Sequence, residues 1–544
     1  MSRDARGIHT VSTCRHDAGT RYRIGLDGRT TIPDPASHWQ PDGVHGASAI
    51  DDARGFAWRA APVDIEPAAL VIYELHIGTF TPEGTFDAAR RKLDYLRGLG
   101  VTAIEIMPVA EFPGLRNWGY DGAALFAPSS VYGGPDAFRR LIDDAHARGL
   151  SVILDVVYNH LGPDGAYLDA ASPDFFSPGA SNPWGAEVRL SEPIVREWLV
   201  ANAIHWAEDY RVDGFRLDAT HALPSSDTPS FLATLVEHTR AASGRPLLFI
   251  AEDHRHMPEM LRAANEGGWG LDGVWADDFH HHVRVMTAGD SHGYYARYSG
   301  DAVDLARTIS TGWDLGTARS AGAAAPDERF VYCIQNHDQI GNRAFGDRLH
   351  DAVGLPAFRA ASALVLLAPE TPLIFMGQEW AASTPFQYFT DHHGELGRLV
   401  TAGRGREFGG FPEFHERAEE IPDPQASSTF EASRLRWEEA ERQPHAGIAE
   451  LYRALLAARR SEHLLQPEVL ALDSTTICIR YERVALIARL KGEGRVLLGQ
   501  RFHHGWETWL TTEDPPFAED GAPPQIAHDA ITFSRPAGVL LRRV

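Results

Sequence analysis

Cysteine is scarce in this chain of 544 residues: Cys14, Cys333 and Cys478 lie far apart and their number is odd. Such a set excludes a disulfide framework and has no metal-ligand spacing, so inert thiols are expected. Long apolar runs are missing as well. The stretch ALVLLA at 363–368 falls far short of the ~18 residues that a membrane-spanning helix needs. The start, MSRDARGIHT, lacks the apolar centre of a signal peptide. No strand candidate is followed by Gly-x-Gly-x-x-Gly, which weakens the case for an open dinucleotide-binding sheet. Net positive charge is absent too: the formal charge is -23, and the acidic residues are scattered. That balance argues against nucleic acid and anionic membrane as partners and fits a soluble, cytoplasmic protein.

What is present is a βα rhythm. VIYELHIGTF (71–80), VTAIEIMPV (101–109) and SVILDVV (151–157) read as strands of nearly continuous apolar residues, as in parallel sheets covered on both faces. VDGFRLDA (212–219), PLLFIAED (246–253), GVWADDFHH (273–281), RFVYCIQN (329–336) and TPLIFMGQE (371–379) bring the count to eight. Helical patterns separate them, for example 86–100, where Phe86, Ala89, Leu93 and Leu96 share a face and Gly100 stops the helix. Eight such units predict an α/β fold, a closed (β/α)8 TIM barrel. The expected division is a partial N-terminal β segment (1–65, with TRYRIGL and FAWRAA as strands), a catalytic barrel (66–460) and a C-terminal antiparallel β-sandwich (461–544). Within the barrel, the Pro/Gly/Asp-rich 161–190 reads as a mouth subdomain after strand three, and 381–445 as an insertion after strand eight.

In barrels of this kind the chemistry sits at the carboxyl ends of the strands. In GFRLDATH (214–221), Arg216 and Asp218 alternate with Phe215 and Leu217, so both charges point to one side, opposite the apolar pair. Other strand ends carry Asp155, Asn159 and His160; Glu252; and His337 and Asp338, while NWGYD (117–121) adds Tyr120 and Asp121. Each group alone reads as a helix cap or a loop anchor. Structural use of all of them would concentrate carboxylates at one mouth with a single guanidinium to offset them.

DVVYNH, GFRLDATH, FIAED and CIQNHDQ, in this order and on these strands, resemble the four signature regions of the α-amylase clan of glycoside hydrolases. NHLGPDGAYL (159–168), NPWGAEVRL (182–190), QNHDQIGNRAFGDRL (335–349), FMGQEWAASTPFQYFTDH (375–392) and PDPQASSTFEASRLRW (422–437) are similar to the branch that frees trehalose from malto-oligosaccharides capped with it. The likeness implies Asp218 as nucleophile, Glu252 as general acid/base and Asp338 as the carboxylate that holds sugar hydroxyls. It implies that Tyr120, Asp121, His160, Arg216 and His337 line the subsite of the attacked glucose. His221 is a further candidate there. The substrate implied is malto-oligosyltrehalose and the product trehalose, handled by a monomer. Against that family, the early strands of its N-terminal sandwich are missing here.

Acetal cleavage itself asks for such a set, because one carboxyl must protonate the leaving oxygen while positive charge grows on the anomeric carbon. Arg216 favours an ionised Asp218, and like charge with desolvation is expected to raise Glu252. Trp184, and Trp380, Phe386, Tyr388 and Phe389, are candidate sugar platforms, with core packing as the competing reading. Asn159 stands where calcium-dependent amylases recruit a ligand, but 161–190 has no Asp-rich loop, so neither metal nor cofactor is expected. The rivals are a glycogen branching enzyme, another amylase-type glucan hydrolase and a catalytically silent glucan-binding subunit.

Overall fold

In a computed structural model, which describes every residue except 14–15, 29, 183, 315–328, 410–419, 463, 500–501, 503–504 and 528, eight parallel strands close into a barrel. They are β1 (Ile72–Leu75), β2 (Ala103–Ile106), β3 (Ser151–Val156), β4 (Gly214–Leu217), β5 (Leu248–Glu252), β6 (Gly273–Trp275), β7 (Phe330–Cys333) and β8 (Thr371–Phe375). Each falls within a stretch that reads as a strand, shorter than the apolar run that announces it. No helix among the described residues is long and apolar enough to cross a membrane.

Alternation along the strands explains what the barrel holds. Tyr73, Ile104, Leu154, Phe215, Phe249 and Ile374 point outward into the layer under the helices. Ile72, Ala103, Ile153, Leu248, Ile250, Val331 and Leu373 point inward and form a separate apolar plug. One inward position further along, the plug gives way to Glu74, Glu105, Asp155, Arg216 and Glu252, of which the first four are buried. The barrel is therefore dry at its amino end and charged at its carboxyl end.

Several local expectations are corrected. The stretch 273–281 is a strand only to Trp275, and a helix, Asp278–Ala288, follows. Phe279, Val283 and Met286 are buried at helical spacing, which overrides a continued strand. The helix over 86–100 breaks into Phe86–Arg90 and Leu93–Leu99. FAWRAA forms no strand; Arg59 and Ala60 instead donate backbone N–H groups to Asp143, both at 2.9 Å. Cys14 lies outside the described residues, while Cys333 and Cys478 are buried free thiols.

Segment 161–190 carries a hairpin, Phe176–Asn182 with Gly185–Val188, beside the mouth. Beyond the helix His445–Ser461, a five-stranded and a three-stranded antiparallel sheet enclose Ile487, Val496, Ile531 and Val539. An ion pair joins this sandwich to the barrel. Glu513, fully buried, accepts from Arg359 (Nε 3.0 Å, Nη2 2.6 Å) on the helix after β7 and from Arg535 (Nε 2.6 Å). Removing one partner strands a buried charge, at a cost of about 3–5 kcal/mol. Glu513→Ala is therefore expected to lower the denaturation midpoint clearly, while Arg542→Ala, which loses an exposed pair with Glu507, leaves it nearly unchanged.

Candidate active site

The carboxyl ends of the strands open into a cavity of about 1000 Å³, lined among others by Asp218, Glu252 and Asp338. Three strands distant in sequence thus deliver their carboxylates to one space. Arg216 ties two of them together from below. Its Nη1 donates to Asp218 Oδ1 at 2.9 Å and its Nη2 to Glu252 Oε2 at 2.7 Å. The same Nη1 reaches both oxygens of Asp155, at 2.9 and 2.8 Å. The guanidinium is fully buried and lies 4.3 Å from the centre of the Trp275 ring, which adds a cation–π contact.

Asp218 also accepts from Asn159 Nδ2 at 2.8 Å, so both of its oxygens are held. Asn159 Oδ1 in turn bonds His160 Nδ1, and both ends of this amide are committed to the site. The residue after Asp218, Ala219, sits in the left-handed region (φ 38°, ψ 55°), unusual for a residue with a Cβ. That turn aims its N–H at Glu252 Oε2, 2.8 Å away. Glu252 Oε2 thus accepts two N–H donors, from Arg216 and Ala219. Asp338 leads the short helix His337–Gly341, capped by Asn336, and accepts from Asn342 Nδ2 at 3.0 Å.

Tyr120 forms one wall. Gly119 before it has φ 109°, and a Cβ there would lie 2.1 Å from the Pro108 carbonyl oxygen, so the NWGYD turn requires glycine. Tyr120 donates to Asp155 Oδ2 at 2.6 Å and lies against the His337 ring, centroids 5.2 Å apart. Asp121 accepts from Asn117 Nδ2 (2.6 Å) and His392 Nε2 (3.2 Å); against the opposing effect of burial, His392 and Asn117 hold its carboxyl below the usual range. His160 contacts the Tyr120 carbonyl at 3.0 Å and stacks with Trp184, which is 48% exposed at the cavity rim. His221 lines the cavity beside His254, ring centroids 4.2 Å apart.

All ten site residues named from the sequence therefore meet at one cavity or, for Arg216, directly beneath it. The aromatic group after strand eight does not. Trp380, Phe386 and Phe389 are fully buried in the core, and only Tyr388 reaches the cavity. Sequence reasoning missed Glu74, Trp275, Asn117, His392 and Asp277. Asp277 closes β6; burial first, then Glu252 and Asp338, push its carboxyl up to about 7. ADD after an apolar strand was the available signal, but acidic pairs after strands are common helix starts. Among the described residues, His38, His205 and Asp209 could hold a metal ion, away from the cavity. The ring nitrogens of His205 bond Asp209 Oδ2 (2.8 Å) and the Phe126 carbonyl (2.9 Å).

A closed (β/α)8 barrel with three carboxylates converging at its carboxyl end has the architecture of the α-amylase-type glycoside hydrolases, and the alpha amylase catalytic-domain family matches residues 47–183. The chain is 48% identical over 461 residues to malto-oligosyltrehalose trehalohydrolase of Deinococcus radiodurans, covering 82% of this chain and 75% of that one. It is 42% identical over 499 residues to the enzyme of the same name from Rhizobium sp. (strain M-11), covering 88% and 82%. A crystal structure of a putative alpha amylase from Salmonella typhimurium superposes with a TM-score of 0.86 at 34% identity, over 97% of this chain and 91% of that one. The 1,4-alpha-glucan branching enzyme GlgB of Bacillus caldolyticus is 32% identical, but over only 49% of this chain. The chain belongs to the malto-oligosyltrehalose trehalohydrolases.

Proposed function

We infer that this protein hydrolyses the α-1,4 bond next to the terminal trehalose of malto-oligosyltrehalose and releases trehalose. The observation that carries the reading is the convergence of Asp218, Glu252 and Asp338 in one cavity, two of them bridged by a single guanidinium. Two carboxyls bonded to the two terminal nitrogens of one guanidinium suit a double displacement, for which retaining enzymes hold them ~5–5.5 Å apart.

Asp218 attacks the anomeric carbon as the leaving oxygen takes a proton from Glu252. A glycosyl-enzyme forms and trehalose departs. Glu252, now ionised, takes a proton from water, which attacks the same carbon and restores Asp218. Arg216 and Asn159 hold both oxygens of Asp218 in place, so its attacking geometry is set before substrate arrives. Asp338 stands apart from that pair and binds hydroxyls of the ring that flattens in the transition state. Tyr120 offers its face to the same ring, and Trp184 and Tyr388 offer apolar surface nearer the rim.

The test is a pair of incubations, with malto-oligosyltrehalose and with maltopentaose, following trehalose and reducing ends. Abundant trehalose from the first and at least ~10-fold slower cleavage of the second is the expected result. New α-1,6 branches on amylose, or equal cleavage of both substrates, would overturn the reading in favour of a branching enzyme or an unspecialised amylase.

A further inference from the structure

Below the catalytic carboxylates lies a second acidic layer that the reaction above does not use. Glu74 on β1 and Glu105 on β2 are register partners, point into the barrel and are each 1% exposed. Two adjacent buried carboxylates cannot both be charged at low cost. Their surroundings differ sharply. Neither oxygen of Glu105 has a hydrogen-bond partner among the described residues, and burial first, then Glu74, hold its carboxyl well above the usual range. Glu74 instead accepts twice from one residue, from His337 Nδ1 at 2.5 Å and from its backbone N–H at 3.1 Å. The pair therefore divides into a neutral acid without hydrogen-bond partners among the described residues, Glu105, and a carboxyl bonded twice by His337, Glu74.

The other nitrogen of His337 completes the picture. Nε2 lies 2.8 Å from the Tyr120 hydroxyl and 3.5 Å from Asp338 Oδ1. The Tyr120 hydroxyl proton is engaged with Asp155, 2.6 Å away. A hydroxyl that donates to Asp155 can only accept from His337, so Nε2 carries a hydrogen while Nδ1 donates to Glu74. A neutral imidazole with its hydrogen on Nδ1 would need the tyrosine to turn its proton around and leave Asp155.

We propose that Glu74 is a positioning residue for catalysis: it holds His337 as an imidazolium, and through it fixes Tyr120 as a wall of the subsite of the attacked sugar, while Glu105 stays a neutral acid. This rests on the glycosidase reading above. Groups facing His337 are Glu74 and His76 from β1 and its end, Glu105 from β2, Tyr120 from the following loop, Asp155 from β3, Arg216 from β4, and Asp338 next in the chain. Burial, and more weakly Arg216, favour the neutral ring, but Asp338 and Glu74 outweigh them and raise it to about 9. A group raised in this way is charged, and the chain of bonds intact, below that pH; the arrangement is lost as pH rises through it.

The experiment uses α-maltotriosyl fluoride and reads fluoride release, because fluoride departs with little help from Glu252 and the alkaline limb then reports His337. Parent protein that releases no fluoride would speak against the glycosidase reading itself, independently of this proposal. Glu74→Gln is expected to move the alkaline limb of kcat/KM down by about 1–3 pH units, the shift an adjacent charge produces. Its loss should therefore grow with pH, from no more than about 2-fold at pH 6 to roughly 5–500-fold at pH 9. Glu105→Gln, equally buried and isosteric with the neutral acid, should follow the parent curve. Should Glu74→Gln fail to fold, His337→Gln is the second variant: the limb near pH 9 should vanish from its profile. A parent-like limb in Glu74→Gln or in His337→Gln, or an equal displacement in Glu105→Gln, would overturn the proposal.

Discussion

Asp218→Ala and Glu252→Gln are expected to lose turnover of malto-oligosyltrehalose by roughly 10⁴-fold or more, the scale on which loss of a covalent nucleophile or its proton partner acts. Both variants should keep their folded state. Removing Asp218 relieves like charge beside Asp155 and Glu252, and in Glu252→Gln the new amide keeps an oxygen for the Ala219 N–H. The two losses should then separate with the leaving group. On α-maltotriosyl fluoride, Glu252→Gln recovers much of the bond-cleaving step, since fluoride needs little protonation, whereas Asp218→Ala stays dead because no glycosyl-enzyme can form. Thermal midpoints and rates on both substrates check this. Near-normal turnover in either variant, or equal rescue of both by fluoride, would mean that the roles are wrongly assigned.

The second large effect belongs to Arg216. Its guanidinium serves Asp155, Asp218 and Glu252 at once from a fully buried position. Arg216→Leu removes the positive charge and leaves the carboxylates behind, at an expected cost of about 3–5 kcal/mol, together with nearly all activity. The penalty should depend on pH, and the sign can be stated. Burial already pushes Asp155 up to about 7 in the presence of Arg216. Without that cation it rises further, so the folded protein holds a proton that the unfolded chain has released. Stability then falls as pH increases from about 4 through and beyond 7. Arg216→Leu is therefore expected to lose more at pH 8 than at pH 5 by urea denaturation. Arg216→Lys should rescue folding in part but not turnover, because a point charge cannot fork to several carboxylates. A Leu variant as stable at pH 8 as the parent would contradict this account of the barrel floor.

The carboxyl-end chemistry was legible because it alternates. Arg216 between Phe215 and Leu217, or Asp155 after Ile153, is a period-two break in an apolar run, and such breaks survive without any coordinates. Glu74 and Glu105 obey the same rule, yet they passed unnoticed. Each sits singly within a run that reads as an ordinary buried strand, and what distinguishes them is a partner some 30 to 260 residues away. The aromatic stretch 380–389 failed for the converse reason. Trp, Phe and Tyr suit a sugar face and a protein core equally, and only burial assigns Trp380, Phe386 and Phe389 to the core and Tyr388 to the cavity.

By itself, the sequence determined the class of fold, the number of strands and the residue types that stand at their carboxyl ends, because hydrophobic periodicity and strand alternation are local properties of the chain. Closure of the barrel decided the rest: which carboxylates share Arg216, which acid stays neutral, and which imidazole is held charged. Those outcomes depend on distances between strands that are remote in sequence and on the exclusion of water around them, and electrostatic energies are set by those distances and that burial rather than by the order of residues.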